Sequence, residues 1–284
     1  MMFSPSLHQL IGQALAEDIG PGDITTDILI DPSLSGQADM VAKQDLIVAG
    51  TEVAARVFHA VNPAIECEIL IRDGAAAREG QVIVRSAGPV ADLLRAERVA
   101  LNFLQHLSGI AGLTRKFVEA VSGLPVKILD TRKTAPGLRA IEKCAVRAGG
   151  GHNHRFALYD GILIKDNHLA ASSSLKEAVK KARSFAPHLM KIEVEVTGID
   201  QLREALAAGA EVVLLDNMDL PTLKEAVAIT KGHALLEASG GVALDNVREI
   251  AETGVDFISV GALTHSAPAA DISMRLIASV HHGP

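Results

Sequence analysis

The stretch that decides the fold is residues 191–260, KIEVEVTGIDQLREALAAGAEVVLLDNMDLPTLKEAVAITKGHALLEASGGVALDNVREIAETGVDFISV. Its strand-like runs begin at residues 191, 211, 234 and 256, so the pattern repeats every 20 to 23 residues. Helix-like segments fill the intervals, at 199–208, 219–231 and 244–253. Strands that alternate with helices at this pitch indicate repeated βα units and a parallel sheet.

Two more strand-like runs precede this stretch, at Val126–Asp130 and Gly161–Lys165, with helix-like segments at 138–148 and 174–184. Six such units, closed or nearly closed, predict an α/β fold, a parallel β/α barrel of about six strands that is shorter than the eight-stranded type. A doubly wound open sheet is the alternative.

The first part of the chain has a different pattern. Residues 6–17 and 52–61 have helical periodicity, and we expect the long helical segment 91–122 to break near Gly109 or Gly112. Short β-like runs lie between turn residues at 24–30, 36–42, 45–49, 65–71 and 81–86. We therefore predict an N-terminal α+β domain at residues 1–112, with the tail 271–284 as a candidate to complete it, and a barrel domain at 113–270.

Composition excludes several classes of protein. Only 3% of the 284 residues are aromatic, with one Tyr and no Trp, so the stacking surfaces that single-stranded nucleic acid needs are scarce. Cys67 and Cys144 lie far apart and suit reduced thiols. The N-terminus has no signal-peptide pattern, and no apolar run approaches the ~18 residues of a membrane span. We expect a cytoplasmic protein with no nucleic-acid or membrane partner.

Each predicted strand of the barrel ends in polar or Gly-rich sequence. In such folds the active site lies at the carboxyl ends of the strands, so these ends should form one pocket. In chain order they are Asp130-Thr-Arg-Lys, Lys165-Asp-Asn-His, the pair Glu193 and Glu195, Asp216-Asn, Ser239-Gly-Gly and Gly261-Ala.

Residues 130–168 form a positive island, with seven Lys/Arg against four Asp/Glu, in a chain whose net charge is −7. A local charge of +3 indicates a pocket for a small polyanion. Arg132 and Arg155 can each grip a carboxylate with a bidentate fork, Lys165 adds a point charge, and His154 could donate a hydrogen bond. Three further cations spaced four apart are expected to be solvated charges on one helix: Arg139, Lys143 and Arg147.

The later strand ends supply groups for a phosphorylated partner. Glu195 and Asp216 end neighbouring strands and are candidate Mg²⁺ ligands, although Glu193 shares a strand face with Glu195 and either glutamate could be the ligand. The turns at Ser239–Gly241 and Gly261 offer backbone N–H groups to a phosphate. The combination indicates a small acid that meets a phosphorylated sugar.

Several motifs also resemble one enzyme family, quinolinate phosphoribosyltransferase. They are EDIGPGDITTD (17–27), AERVALNFLQHLSGIA (96–111), DTRKTAPG (130–137), EKCAVRAGGG (142–151), NHR (153–155), LIKDNH (163–168), LDN (215–217), SGG (239–241) and SVGAL (259–263). The likeness runs in order over nearly the whole chain. Two positions depart from the family pattern, Cys144 where Tyr is common and Ala157 where Gly is common.

The resemblance implies that quinolinate and phosphoribosyl pyrophosphate give nicotinate mononucleotide, pyrophosphate and CO₂, with Mg²⁺, in NAD biosynthesis. It also implies roles for individual residues. Quinolinate carboxylates would be held by Arg132, His154, Arg155 and Lys165; the pyrophosphate side by Lys133 and His168; the metal and ribose by Glu195 and Asp216; and the 5-phosphate by Ser239, Gly240, Gly241 and Gly261. The residues expected to take part in catalysis are Lys133, Lys165, Glu195 and Asp216.

The resemblance further implies a homodimer, with a higher oligomer left open, in which Arg98 enters the pocket of the partner subunit. From its own surroundings in the sequence, Arg98 would be a surface charge on a helix.

Three other functions compete with this one. A molybdenum-transport-associated homologue of the same fold is disfavoured by the NHR and LIKDNH motifs. A Schiff-base lyase would use Lys165 as its nucleophile. A non-catalytic anion-binding module would leave Glu195 and Asp216 without a role.

Overall fold

The computed structural model describes residues 5–172 and 174–278. The elements of its first part are α1 (Pro5–Ile19), α2 (Ile24–Leu29), β1 (Ser35–Ala42), β2 (Leu46–Ile47), α3 (Thr51–Val61), β3 (Glu66–Ile69), β4 (Ala76–Ala77), β5 (Val82–Pro89) and α4 (Val90–Ala120). The elements of its second part are β6 (Lys127–Leu129), α5 (Arg139–Ala148), β7 (Ile162–Ile164), α6 (Asp166–Ala170), α7 (Leu175–Phe185), β8 (Ile192–Val196), α8 (Ile199–Ala207), β9 (Val212–Asp216), α9 (Leu220–Thr230), β10 (Leu235–Ser239), α10 (Val247–Ala251), β11 (Phe257–Ser259), α11 (Ala262–His265) and β12 (Ile272–Ala278).

The six predicted barrel strands form one parallel sheet with the order β6-β11-β10-β9-β8-β7. From β7 to β11 consecutive strands are neighbours, and the first strand, β6, pairs with the last, β11. This order is that of a β/α barrel whose hydrogen bonding is interrupted between β6 and β7, so the predicted six-stranded parallel fold is confirmed. The chain beyond β6 adds a single parallel bridge between Leu129 and His152.

Two units divide the described chain. One comprises the described residues within Met1–Leu113, Ala135–Gly150 and Ala267–Pro284, and the other comprises Thr114–Thr134 and Gly151–Ser266. The first unit contains an antiparallel sheet of order β12-β1-β5-β3, so the tail strand β12 pairs with β1. Helix α5 belongs to this unit although it lies between two barrel strands in the sequence.

Two expectations for the first unit are wrong. The run 24–30 is the helix α2, because the Asp23 carboxylate caps it by accepting a hydrogen bond from the Thr26 N–H, at 3.1 Å. Helix α4 is continuous through Gly109 and Gly112. A Cβ at position 109 would lie 2.1 Å from the Pro268 carbonyl oxygen, so this glycine permits a close approach of two backbones and does not break the helix.

The charges of α5 are only partly the solvated surface that we expected. Arg147 is exposed and Arg139 half-buried, but Lys143 is only 4% exposed. On the same helix Glu142 is fully buried, and its Oε1 lies 2.8 Å from His106 Nε2. The expectation is therefore wrong for Lys143, since α5 packs into the first unit with part of its polar surface covered.

No helix within residues 5–172 and 174–278 has both the length and the apolar character needed to cross a membrane.

Candidate active site

Side chains on the barrel strands alternate between two surroundings. On β8, Ile192, Val194 and Val196 are buried almost completely, whereas Glu193 and Glu195 lie on the opposite face. The same alternation on the other strands gives the barrel interior a set of residues two apart: Leu163 and Lys165, Val212, Leu214 and Asp216, Leu235, Glu237 and Ser239, Phe257 and Ser259. The interior is therefore apolar at the start of the strands and polar at their carboxyl ends.

A cavity of about 560 Å³ lies at these carboxyl ends. Ten of the predicted site residues line it: Arg132, Lys133, His154, Arg155, Lys165, Glu195, Asp216, Ser239, Gly240 and Gly241. The other lining residues are Thr131, Leu163, Leu214, Asn217, Glu237 and Ser259. The barrel thus brings most of the predicted residues to one place.

Three predicted site residues do not line the cavity. His168 is exposed on α6, and its Nδ1 accepts a hydrogen bond from the Lys165 backbone N–H at 2.9 Å. Gly261 lies beside the cavity, since a Cβ at this position would be 3.0 Å from Cδ of the cavity residue Lys133. Arg98 is exposed on α4 in the other unit.

The positive end of the cavity is built around a buried carboxylate. Asp130 follows β6, is fully buried, and accepts hydrogen bonds from Asn153 Nδ2 at 2.6 Å and from the His154 backbone N–H at 2.8 Å. These bonds fix the NHR segment against the end of β6. Arg155 Nη1 donates to the Gly161 carbonyl at 2.9 Å.

The two arginines of this end remain incompletely satisfied. The Nε atoms of Arg132 and Arg155 are buried and have no hydrogen-bond partner within the described residues. Burial lowers the pKa of Arg155 from its usual range, and the charge of Arg132 lowers it further. Two cations that repel each other and keep unused donors beside one cavity favour an anion between them.

The opposite wall carries two carboxylates with polar partners. Lys165 Nζ donates to Glu195 Oε2 at 2.7 Å, and Asn217 Nδ2 donates to Asp216 Oδ2 at 2.9 Å. A carboxylate with little exposure requires a basic partner or a metal. For Glu195 the basic partner is Lys165. Asp216 and Glu195 come from neighbouring strands, as the sequence predicted.

The SGG turn and the LDN segment are interlocked. Asn217 has a left-handed backbone, with φ 54°, and its N–H donates to the Ser239 carbonyl at 2.8 Å. Gly240 has φ 93°, and a Cβ there would lie 2.2 Å from Asn217 Oδ1. Only glycine fits at position 240, so the turn after β10 requires this residue for backbone reasons.

A His–Glu–Glu group, formed by His154, Glu193 and Glu237, lies in the barrel interior, where its first and third members line the cavity. His154 Nε2 is 3.0 Å from Glu193 Oε2 and 3.8 Å from Glu237 Oε2. Burial raises the pKa of Glu237 to about 8, and the nearby charge of Glu193 contributes. The strand spacing left open whether Glu193 or Glu195 is the candidate Mg²⁺ ligand. Glu195 lines the cavity at the carboxyl ends of the strands, and Glu193 does not.

Glu237 was missed by the sequence interpretation, which considered only strand ends. Its signal was available, because Glu237 lies two residues before Ser239 and therefore shares the interior face of β10.

A second cavity of about 570 Å³ lies toward the start of the strands, lined in part by Lys127, Val212, Leu235 and Phe257. Three residues line both cavities, His154, Arg155 and Glu237. The His–Glu–Glu group therefore lies where the two cavities approach each other in the barrel interior.

Comparisons with known proteins agree over almost the full chain. The family model for the N-terminal domain of quinolinate phosphoribosyl transferase matches residues 23–108, and the model for its C-terminal domain matches residues 110–275. A probable nicotinate-nucleotide pyrophosphorylase (carboxylating) of Bacillus subtilis is 46% identical over 273 residues, which are 96% of this chain and 94% of the relative. A chloroplastic relative from Arabidopsis thaliana is 41% identical, with 95% of this chain and 82% of that protein covered.

Solved structures give the same result. NadC from Streptococcus pyogenes has a TM-score of 0.93 at 39% identity, with 98% of both chains covered. The nicotinate-nucleotide pyrophosphorylase from Francisella tularensis has a TM-score of 0.91 at 40% identity, with 96% of both chains covered. The similarity thus includes both the first unit and the barrel.

Proposed function

The chain belongs to the quinolinate phosphoribosyltransferase family, and we propose that it carries out its chemistry in the cavity at the carboxyl ends of the barrel strands. Its function is phosphoribosyl transfer from phosphoribosyl pyrophosphate to quinolinate with decarboxylation, in NAD biosynthesis. The products are nicotinate mononucleotide, pyrophosphate and CO₂.

Quinolinate binds, in this proposal, at the positive end of the cavity. Arg132, Arg155 and His154 hold its two carboxylates, and Lys165 adds a further positive charge. The observation that carries this assignment is the pair of buried, unpartnered Nε atoms of Arg132 and Arg155 beside the cavity. A dicarboxylate supplies acceptors for both guanidinium groups and relieves their mutual repulsion.

The phosphorylated sugar occupies the other wall. The turn Ser239–Gly241 takes the 5-phosphate with Gly261 nearby, and Lys133 faces the pyrophosphate, with His168 joining it from α6. Departure of pyrophosphate builds positive charge on the ribose, which the carboxylates of Glu195 and Asp216 stabilise. Holding the ring nitrogen of quinolinate against the anomeric carbon converts a bimolecular reaction into one between oriented neighbours.

Mg²⁺ fits the same two carboxylates. Glu195 and Asp216 offer hard oxygen ligands from neighbouring strands, and protein Mg²⁺ sites often consist of one or two carboxylates plus substrate phosphates. The ion would supply charge neutralisation for the pyrophosphate. Lys165, already paired with Glu195, limits the negative charge of this wall before substrates arrive.

Decarboxylation requires no organic cofactor. Once the ring nitrogen carries the ribose, the bond between C2 and its carboxylate breaks, CO₂ departs, and the positively charged pyridinium ring stabilises the electron pair left on C2. A proton from water then takes the place of the carboxylate on C2. The task of the protein is to orient the 2-carboxylate, and we assign no general base.

The active form is, we propose, a homodimer in the cytoplasm. Arg98 is exposed on α4 and is available to enter the pocket of a partner subunit. Cys67 and Cys144 are free thiols, as is usual in a reducing compartment. Arg98→Ala and Arg132→Ala proteins, each inactive alone, should regain activity when mixed, and no recovery would contradict a shared site.

A Schiff-base mechanism at Lys165 is not favoured. Its ammonium group forms an ion pair with Glu195 at 2.7 Å, whereas a nucleophilic amine must be neutral. Borohydride treatment in the presence of a carbonyl substrate should leave no adduct on Lys165, and a stable adduct would support the lyase.

The test of the quinolinate site is pyrophosphate release by matched arginine variants. Arg132→Ala should raise the KM for quinolinate or abolish turnover, because it removes a fork for a carboxylate. Arg203→Ala, on the exposed face of α8, serves as the control and should behave as the wild type. Equal activity of the two variants would overturn the assignment of Arg132.

A further inference from the structure

The barrel interior holds two carboxyl groups that the reaction described above does not use. Glu193 and Glu237 are only 9% and 2% exposed, and each has one carboxylate oxygen without a hydrogen-bond partner among the described residues. Uncompensated acidic groups in such surroundings are costly. Their presence in the barrel interior therefore requires a functional reason.

The geometry connects both groups to one cavity residue. His154 Nε2 lies 3.0 Å from Glu193 Oε2, which is hydrogen-bonding distance, and 3.8 Å from Glu237 Oε2. The contact with Glu193 occupies Nε2 and restricts the plane of the ring, which leaves Nδ1 as the ring nitrogen that can donate, when protonated, to a substrate carboxylate. His154 lines the cavity at the carboxyl ends of the strands, with its ring held in this way.

Glu237 is the most deeply buried member of this cluster. Its pKa is raised to about 8 by burial, then by the charge of Glu193, against lowering contributions from His154 and Ser259. A carboxyl group whose pKa is raised in this way can donate its proton in a hydrogen bond to Glu193.

We propose that Glu193 and Glu237 are positioning residues for quinolinate binding, in which Glu193 fixes the His154 imidazole against the substrate carboxylate and Glu237 in turn fixes Glu193. The inference deepens the proposed function and depends on it, because it is there that His154 contacts quinolinate. The side-chain amide of Gln both donates and accepts hydrogen bonds, so Gln can keep these contacts at either position, whereas Leu removes them.

The test compares Glu193→Leu, Glu237→Leu and Glu237→Gln. In the first two, the quinolinate KM should rise about tenfold, the effect of losing one side-chain hydrogen bond, with the KM for phosphoribosyl pyrophosphate within about twofold of wild type. In Glu237→Gln the quinolinate KM should stay near the wild-type value, in contrast to Glu237→Leu. Glu225→Gln, on the exposed surface of α9, is the matched control.

Two measurements separate positioning from a general loss of structure. Calorimetric titration with quinolinate should give the same tenfold loss of affinity, and the ¹⁵N shifts of the His154 ring should change in Glu193→Leu but not in the control. An unchanged quinolinate KM in Glu193→Leu, or equal rises for both substrates, would overturn the proposal. A loss in Glu237→Gln as large as in Glu237→Leu would overturn the role of Glu237. If the wild type itself turned over no quinolinate, the proposed function would fail instead.

Discussion

Replacing Glu237 by Gln should change how the stability of the protein depends on pH. The native carboxyl keeps its proton up to about pH 8, whereas in the unfolded chain it ionises near its model value of 4.5. Between these values the native state binds more protons than the unfolded state, so the free energy of unfolding of the wild type falls as the pH rises. A Gln has no proton to hold and lacks this dependence.

The size of the effect follows from the shift. At about 1.4 kcal/mol per pKa unit, the full window amounts to roughly 5 kcal/mol. Because the charge of Glu193 is one cause of this shift and neighbouring buried groups respond to one another, we expect about half of this, roughly 2 to 3 kcal/mol, as the gain of Glu237→Gln over wild type at pH 8 relative to pH 5.

Urea unfolding at pH 5, 6, 7 and 8 measures this difference directly, with Glu225→Gln as the exposed control. The control should parallel the wild type at every pH. A constant difference between Glu237→Gln and wild type from pH 5 to pH 8 would refute the argument, since it would show that Glu237 ionises in the native state as it does in the unfolded chain.

Two glycine pairs give further tests. Gly109→Ala should lower the free energy of unfolding by about 2 kcal/mol because its Cβ would lie 2.1 Å from the Pro268 carbonyl oxygen, whereas Gly112→Ala, with no atom within 4 Å, should raise it by about 1 kcal/mol through helix propensity; stabilisation in both would contradict the close approach. Gly240→Ala, with a Cβ 2.2 Å from Asn217 Oδ1, should cost about 2 kcal/mol and raise the KM for phosphoribosyl pyrophosphate, while Gly241→Ala, which has open space, should cost less in denaturant unfolding. Similar losses of unfolding free energy in the Gly240 and Gly241 variants would show that the contact with Asn217 does not determine the cost.

Local periodicity was sufficient to predict the barrel, because parallel strands carry buried aliphatic residues at a regular pitch. The prediction from periodicity failed where a single residue changes the secondary structure of a segment. The segment 24–30 is rich in β-branched residues, but Asp23 accepts from Thr26 and starts a helix. Gly109 looks like a helix breaker in sequence, and only the distant Pro268 explains it.

The site was predictable for the same reason that the barrel was. Parallel strands bring their carboxyl ends together, so residues at strand ends such as Arg132, Lys165 and Asp216 could be grouped without coordinates. Glu237 could not be found by that rule, because it lies one pleat deeper. The partnership of Lys165 with Glu195 was also beyond reach, since two strand ends can be neighbours without their side chains meeting.

The central claim is that the cavity recognises both carboxylates of quinolinate and couples transfer to decarboxylation. The most direct measurement supplies phosphoribosyl pyrophosphate and Mg²⁺ with either quinolinate or nicotinate, and quantifies nicotinate mononucleotide, pyrophosphate and CO₂. We expect the three products in equal amounts from quinolinate and far slower pyrophosphate release with nicotinate, which lacks the 2-carboxylate. Equal rates with the two acids, or no pyrophosphate from quinolinate, would contradict it.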